Sequence, residues 1–107
     1  MPENPLKEFL SVVKRRDNLL PITFLFILYK NPCYGYEMTK MIYEQTGIKL
    51  SRGSVYPTLY FLERRGYITG EQSTRNGRTR KTYMITERGG KLIKDIRQTY
   101  NALLGSG

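Results

Sequence analysis

The chain has 107 residues, enough for one domain with a single small core, and 39% of them are hydrophobic, too many for a disordered tail. It carries 18 Lys and Arg against 9 Asp and Glu, a net charge of +9, with no His, no Trp and one Cys. The usual general base, zinc ligand and nucleophile pairings are therefore missing, and a lone Cys33 makes neither an internal disulfide nor a thiolate cluster, so no catalytic residue, metal or cofactor is expected.

The first residues, Met1-Pro2-Glu3-Asn4-Pro5, are acidic and lack a charged-then-apolar signal pattern, so a cytoplasmic protein is expected. Residues 5–16 place Pro5, Leu6, Phe9, Leu10, Val12 and Val13 at helical spacing, which predicts a short amphipathic helix. Asp17 and Asn18 offer cap residues, and Pro21 suits the first turn of a second helix over about Leu20 to Lys30. That helix is apolar nearly all round through Ile22, Phe24, Leu25, Phe26, Ile27 and Leu28. It must be covered on more than one side, by its own domain or by a second subunit. It is too short to cross a bilayer, which takes about 20 residues, and no membrane span is expected.

Asn31-Pro32 breaks the chain, Gly35 opens a third helix to about Thr46, and Gly47 stops it. Ile48-Lys49-Leu50 is a short extended piece. Ser51 is a good N-cap for a fourth helix over 52–65, ended by Gly66. The period then changes from 3.6 to 2. Residues 67–73 and 81–85 alternate like two strands, joined by Thr74 to Arg80 with the turn dipeptide Asn76-Gly77. Thr86 caps a last helix to about Leu104, and Gly105-Ser106-Gly107 reads as a flexible end.

Two short helices with a tight connection, then a hairpin with a basic tip, is the layout of a winged helix-turn-helix. The fold class expected is mainly α with a small β-hairpin. It divides into an N-terminal helical extension (1–18), the winged unit (19–86), a C-terminal dimerisation helix (87–104) and the end (105–107). Residues 52–65 would be the recognition helix, with Val55, Leu59 and Leu62 toward the core and Gly53, Pro57, Tyr60 and Arg64 outward, flanked by Ser54 and Tyr56. Arg52 at its start suits a bidentate contact to guanine. Ser54, Tyr56 and Tyr60 suit phosphate oxygens or thymine methyl groups, although both tyrosines also fit an ordinary amphipathic surface. Gly53 and Pro57 are compact and would let the helix approach a groove closely, with Pro57 placed in about the first turn, where it costs little. Arg75, Arg78, Arg80 and Lys81 form a charge run without an acid, a grip for phosphate or the minor groove.

In the last helix Ile93, Ile96, Tyr100 and Leu103 step by three, four and three, and Leu92 widens the stripe. The seam needs a partner, either its own domain or a second copy joined with help from Leu6, Phe9, Leu10 and Val13.

The residues together resemble a known family. Ile27-Leu28 with Tyr34-Gly35-Tyr36-Glu37-Met38, then Ser51-x-Gly53-Ser54-Val55-Tyr56-Pro57-Thr58-Leu59, Leu62-Glu63-x-x-Gly66-Tyr67-Ile68, and Arg80-Lys81-Thr82-Tyr83-x-Ile85-Thr86-x-x-Gly89 look like the PadR family of bacterial transcriptional regulators, over about residues 19–97. The resemblance implies a winged helix-turn-helix homodimer that represses genes from a pseudo-palindromic operator. By position it implies double-stranded DNA contacts from Tyr34, Tyr36, Ser54, Tyr56 and the wing basics. It also implies, for some members, a small aromatic effector at the dimer interface. The stacking tryptophan of other members has no counterpart here, and Phe9, Phe24, Phe26 and Tyr100 are the residues that could line an aromatic pocket unless core packing claims them. Two competing readings stay open. One is a small-molecule-sensing interaction module with secondary or lost DNA binding. The other is a membrane-surface protein using Lys14, Arg15 and Arg16, which the lack of Trp on that helix speaks against.

Overall fold

A computed structural model of the chain describes residues 19–105. Their order is α1 (Leu20–Lys30), β1 (Cys33–Tyr34), α2 (Gly35–Thr46), α3 (Arg52–Arg64), β2 (Ile68–Arg75), β3 (Arg78–Ile85) and α4 (Glu87–Leu104). The strands form one antiparallel sheet in the order β1-β3-β2. The helix expected over 5–16, with Leu6, Phe9, Leu10 and Val13, and the caps Asp17 and Asn18, lie outside the described residues.

α1 is the central helix because it is apolar on every side and its own domain covers several of them. It packs on α3, β3 and α4 and buries Phe24, Leu25 and Leu28 completely or nearly so. Its N-cap is Leu19, which has no side-chain cap; the Thr23 hydroxyl donates back to the Leu19 carbonyl at 3.0 Å. Phe26 and Tyr29 stay at the surface.

The helix ends follow local chemistry. At the start of α2 the Tyr34 N–H donates to Glu37 Oε1 at 2.7 Å, and Gly47 closes the helix with its N–H on the Tyr43 carbonyl at 2.8 Å. α3 opens on Ser51, whose Oγ accepts from the Ser54 N–H at 3.2 Å. It closes at Gly66, left-handed at φ 79°, with Gly66 N–H on Glu63 and Tyr67 N–H on Leu62. That pair of bonds is the Schellman arrangement, and its usual apolar contact joins Leu62 and Tyr67, both in the core. Thr86 then ties three elements together. Its Oγ1 donates to the Gly66 carbonyl at 2.6 Å and accepts from the Gly89 N–H at 3.1 Å, while its N–H reaches the Tyr67 carbonyl.

Three expectations change. The sheet has a third strand: Cys33 and Tyr34 pair with Tyr83 and Thr82, in a segment that reads as loop because two residues carry no periodicity. The hairpin strands run on to Arg75 and Arg78, so the connector is the Asn76-Gly77 pair alone. Both turn residues have positive φ, 54° and 76°, the mirror-image geometry whose twist matches the strands. Finally, the apolar stripe of α4 divides. Leu92, Ile93 and Ile96 are at most 1% exposed and belong to their own domain's core, whereas Tyr100 and Leu103 are exposed, with Leu104 beside them. Leu92, Ile93 and Ile96 are thus not free for a second subunit. Each anchors α4 with roughly 1.5–3 kcal/mol of burial, and the same spacing serves either partner.

Candidate nucleic-acid interface

α3 stands on the core through Val55, Thr58, Leu59 and Leu62, all buried, which fixes the direction of its other face. That face exposes Arg52, Gly53, Ser54, Tyr56, Pro57, Tyr60 and Arg64. Pro57 lies inside the helix, in its second turn, and not in the first as expected. It therefore lacks the N–H that would bond to the Gly53 carbonyl. Part of the cost is offset by the core contacts of Val55, Thr58 and Leu59 on the other face of the helix, while the Thr58 hydroxyl donates to the Ser54 carbonyl next to the freed one at 2.7 Å. Tyr60 and Arg64 act as a unit: Arg64 Nη1 donates to the Tyr60 hydroxyl at 3.1 Å and the guanidinium sits 5.6 Å from the ring centroid. Ser51 and Ser54 face each other at the helix start, Oγ to Oγ 3.2 Å.

The register of the hairpin sorts its side chains onto two faces. Ile68, Gly70, Lys81, Tyr83 and Ile85 share the face that meets the core and α3. Arg75, Arg78 and Arg80 share the opposite face with Ser73, where with Tyr34 they line an open hollow of about 660 Å3. The Arg80 guanidinium sits 5.3 Å from the Tyr34 ring centroid, within cation–π range, which ties this wing charge to β1. A second groove, of about 940 Å3, runs between the wing and α2 and is bordered by Tyr34, Tyr36, Lys40, Tyr56 and Arg80. Tyr36 is 72% and Tyr56 51% exposed, so both rings are open to a partner.

Lys81 departs from the expected set. Its Nζ lies 3.0 Å from Glu63 Oε1 on α3, on the other face from the three arginines. The hydrogen bond that the ammonium donates to Glu63 raises the Lys81 pKa above its ordinary value. Burial pushes the neighbouring Tyr83 hydroxyl up, against the opposing pull of the Lys81 ammonium. Ser73 and Thr74 on β2 and Lys40 on α2 line these hollows and were not singled out in the sequence. Only the strand register, which places Ser73 opposite Arg80, would have singled out the first. Of the four aromatic residues suggested for an effector pocket, Phe24 is fully buried in the core and cannot line one, Phe26 and Tyr100 are at the surface, and Phe9 is outside the described residues.

Burial, reinforced by the Glu37 carboxylate, pushes the Cys33 thiol up to about 11. A thiolate is then scarce at neutral pH, which suits a small core filler on β1 better than a redox switch. Among the described residues no helix is long and apolar enough to cross a membrane, and no group of His, Cys, Asp and Glu could hold a metal ion.

Comparison with known proteins adds the family. Residues 24–95 match the model of the Transcriptional regulator PadR-like family. The chain is 32% identical to Transcriptional regulator Rv3488 of Mycobacterium tuberculosis over 73 residues, covering 68% of this chain and 67% of that protein. Its fold is similar to that of a PadR family transcription regulator from Clostridium difficile R20291, at a TM-score of 0.70 and 29% identity over 78% of this chain and 88% of that one. It is also similar to Bacillus subtilis PadR, solved in complex with operator DNA, at a TM-score of 0.67 and 26% identity over 74% of this chain and 46% of that one. With its helix-turn-helix, its three-stranded winged sheet and these matches, the chain belongs to the PadR-like family, a family of transcriptional regulators and not of enzymes.

Proposed function

We propose that the protein is a sequence-specific DNA-binding repressor that acts as a cytoplasmic homodimer on a pseudo-palindromic operator. The observation that carries this reading is the pairing of a core-anchored α3 with an exposed polar face and a hairpin bearing Arg75, Arg78 and Arg80 on one side. The operator complex of Bacillus subtilis PadR supports the same class of partner. In this reading α3 enters the major groove, Arg52 reads a guanine edge, and Ser54, Tyr56 and Tyr60 touch phosphate or thymine methyl groups. Tyr34 and Tyr36 contact the adjoining backbone, and the wing arginines grip the flank.

A second copy places its own α3 about 34 Å away, one turn of DNA along. The surface offered to that copy is the free end of α4, where Tyr100, Leu103 and Leu104 are 50%, 74% and 82% exposed. Leu6, Phe9, Leu10 and Val13 would add to it. A small aromatic effector, held at that interface near Phe26 and Tyr100, releases DNA only by binding better to a dimer whose α3 helices are wrongly spaced.

The test is a titration of two labelled duplexes of equal length at several salt concentrations, one from upstream of the protein's own gene and one scrambled. Specific binding generally exceeds non-specific binding by about 10³-fold or more. A preference of that order at ~150 mM salt supports an autoregulatory operator, while equal and salt-fragile binding to both argues against it.

A further inference from the structure

We propose that Lys81 is a positioning residue, braced against Glu63 through a gap at Gly70, and that this brace sets the angle of the wing to α3 in place of a phosphate contact from Lys81. Three independent features of the fold meet here. The first is the ion pair itself, 3.0 Å between Lys81 Nζ and Glu63 Oε1, with both side chains only about one-third exposed, 34% and 31%. The second is Gly70, an otherwise unfavourable residue inside a strand. A Cβ there would collide with Lys81 Cε and come within 3.2 Å of its Cγ and Cδ, so an alanine would push the lysine's flexible end out of this path. The bare backbone at Gly70 is therefore the channel in which the Lys81 stem crosses β2 toward α3. The third is the Tyr83 ring, 5.4 Å from the ammonium, which occupies the other side of the same face.

The geometry separates Lys81 from its basic neighbours. Arg75, Arg78 and Arg80 lie on the opposite face of the hairpin, so one run of charge in the sequence serves two purposes. The base of the wing is anchored by Ile68, Tyr83 and Ile85 in or against the core; farther out, Thr82 pairs with Tyr34 of β1 and Arg80 stacks on that ring, while residues 71–80 are exposed. Where the β1 pairing ties the wing to a neighbouring strand, the Lys81–Glu63 pair ties it to α3, the helix whose register with DNA matters most. Only the affinity part of this proposal rests on the DNA-binding reading; the brace itself is a property of the free protein.

The experiment compares wild type with Glu63→Gln, Lys81→Met, the double variant and Gly70→Ala. Amide hydrogen exchange of residues 79–83 is measured in the free protein. Affinity and salt slope are measured on the upstream duplex. In the free protein each single variant should speed exchange by about two- to fivefold, the range of a partly exposed ion pair, and the double variant should add nothing further. Glu63→Gln and Lys81→Met should weaken DNA binding by a similar factor with the salt slope unchanged.

A Lys81→Met slope flatter by about 0.9, with Glu63→Gln neutral or tighter, would make Lys81 a phosphate ligand and overturn the proposal. Unchanged exchange in all variants would overturn the brace. Gly70→Ala reproducing the Lys81→Met phenotype supports the channel, and wild-type behaviour of that variant refutes it. If wild type binds no duplex, the DNA reading falls by itself, and exchange alone decides the brace.

Discussion

α3 presents Gly53, Ser54, Tyr56, Pro57 and Tyr60 between two terminal charges, Arg52 and Arg64, whereas the wing concentrates Arg75, Arg78 and Arg80 on one face around a tight turn. The helix rests on Val55, Leu59 and Leu62 along its length; the outer wing has no such floor, and residues 71–80 are all exposed. Each chemistry suits its support. Hydrogen bonds to base edges weaken steeply with misalignment and need a helix held by a packed core. Attraction to phosphate acts over several ångströms and tolerates a projecting hairpin. In the proposed reading, discrimination would come from the buried-backed arm and affinity from the exposed one.

Breaking the wing should give the largest effect. Arg78→Ala with Arg80→Ala should weaken binding to operator and scrambled duplexes alike and flatten the log–log salt slope by about 1.8. An unchanged slope in the titration would exclude these arginines as phosphate contacts. Arg52→Ala should act on the other arm. It should reduce the preference for operator over scrambled DNA by about 1–3 kcal/mol, and equal losses on both duplexes would remove its base-reading role.

A smaller effect is expected from Gly77→Ala, which leaves every charge in place. Placing a side chain at φ 76° costs roughly 1–2 kcal/mol, so the hairpin end should fray and affinity drop without a change in sequence preference. Binding and hairpin amide exchange measured on the same variant check both halves of that statement.

The smallest effect concerns Cys33 in β1, the strand paired with β3 of the wing. Its thiol pKa rises from 9.0 to about 11, so between those values the unfolded chain has released a proton that the folded chain keeps. Stability should therefore fall as pH rises through that window. Urea midpoints from pH 8 to 11 should fall less steeply for Cys33→Ala than for wild type. Parallel curves would mean the thiol contributes nothing.

The helices were legible because their ends are written locally. Ser51 and Thr86 accept N–H groups three residues on, and Gly47 and Gly66 adopt a backbone that few other residues tolerate. The candidate face of α3 was legible for the same reason, since Val55, Leu59 and Leu62 leave only one side for Tyr60 and Arg64. Less could be read where a pattern has two solutions. The step of Ile93, Ile96, Tyr100 and Leu103 fits a partner helix or the parent domain, and the structure takes the first two into the core. The basic run looks like a loop because solvent on both faces erases alternation, although the strands continue to the turn.

The sequence by itself determined the order of elements, the helix boundaries, the Asn76-Gly77 turn and the excess of positive charge, because each depends on neighbours within a few residues. Tertiary structure decided the rest. It paired Cys33 and Tyr34 with β3, drew Leu92, Ile93 and Ile96 into the core, and turned Lys81 toward Glu63 while its neighbours face away. These outcomes join residues distant along the chain, so they depend on which surfaces meet once the helices pack.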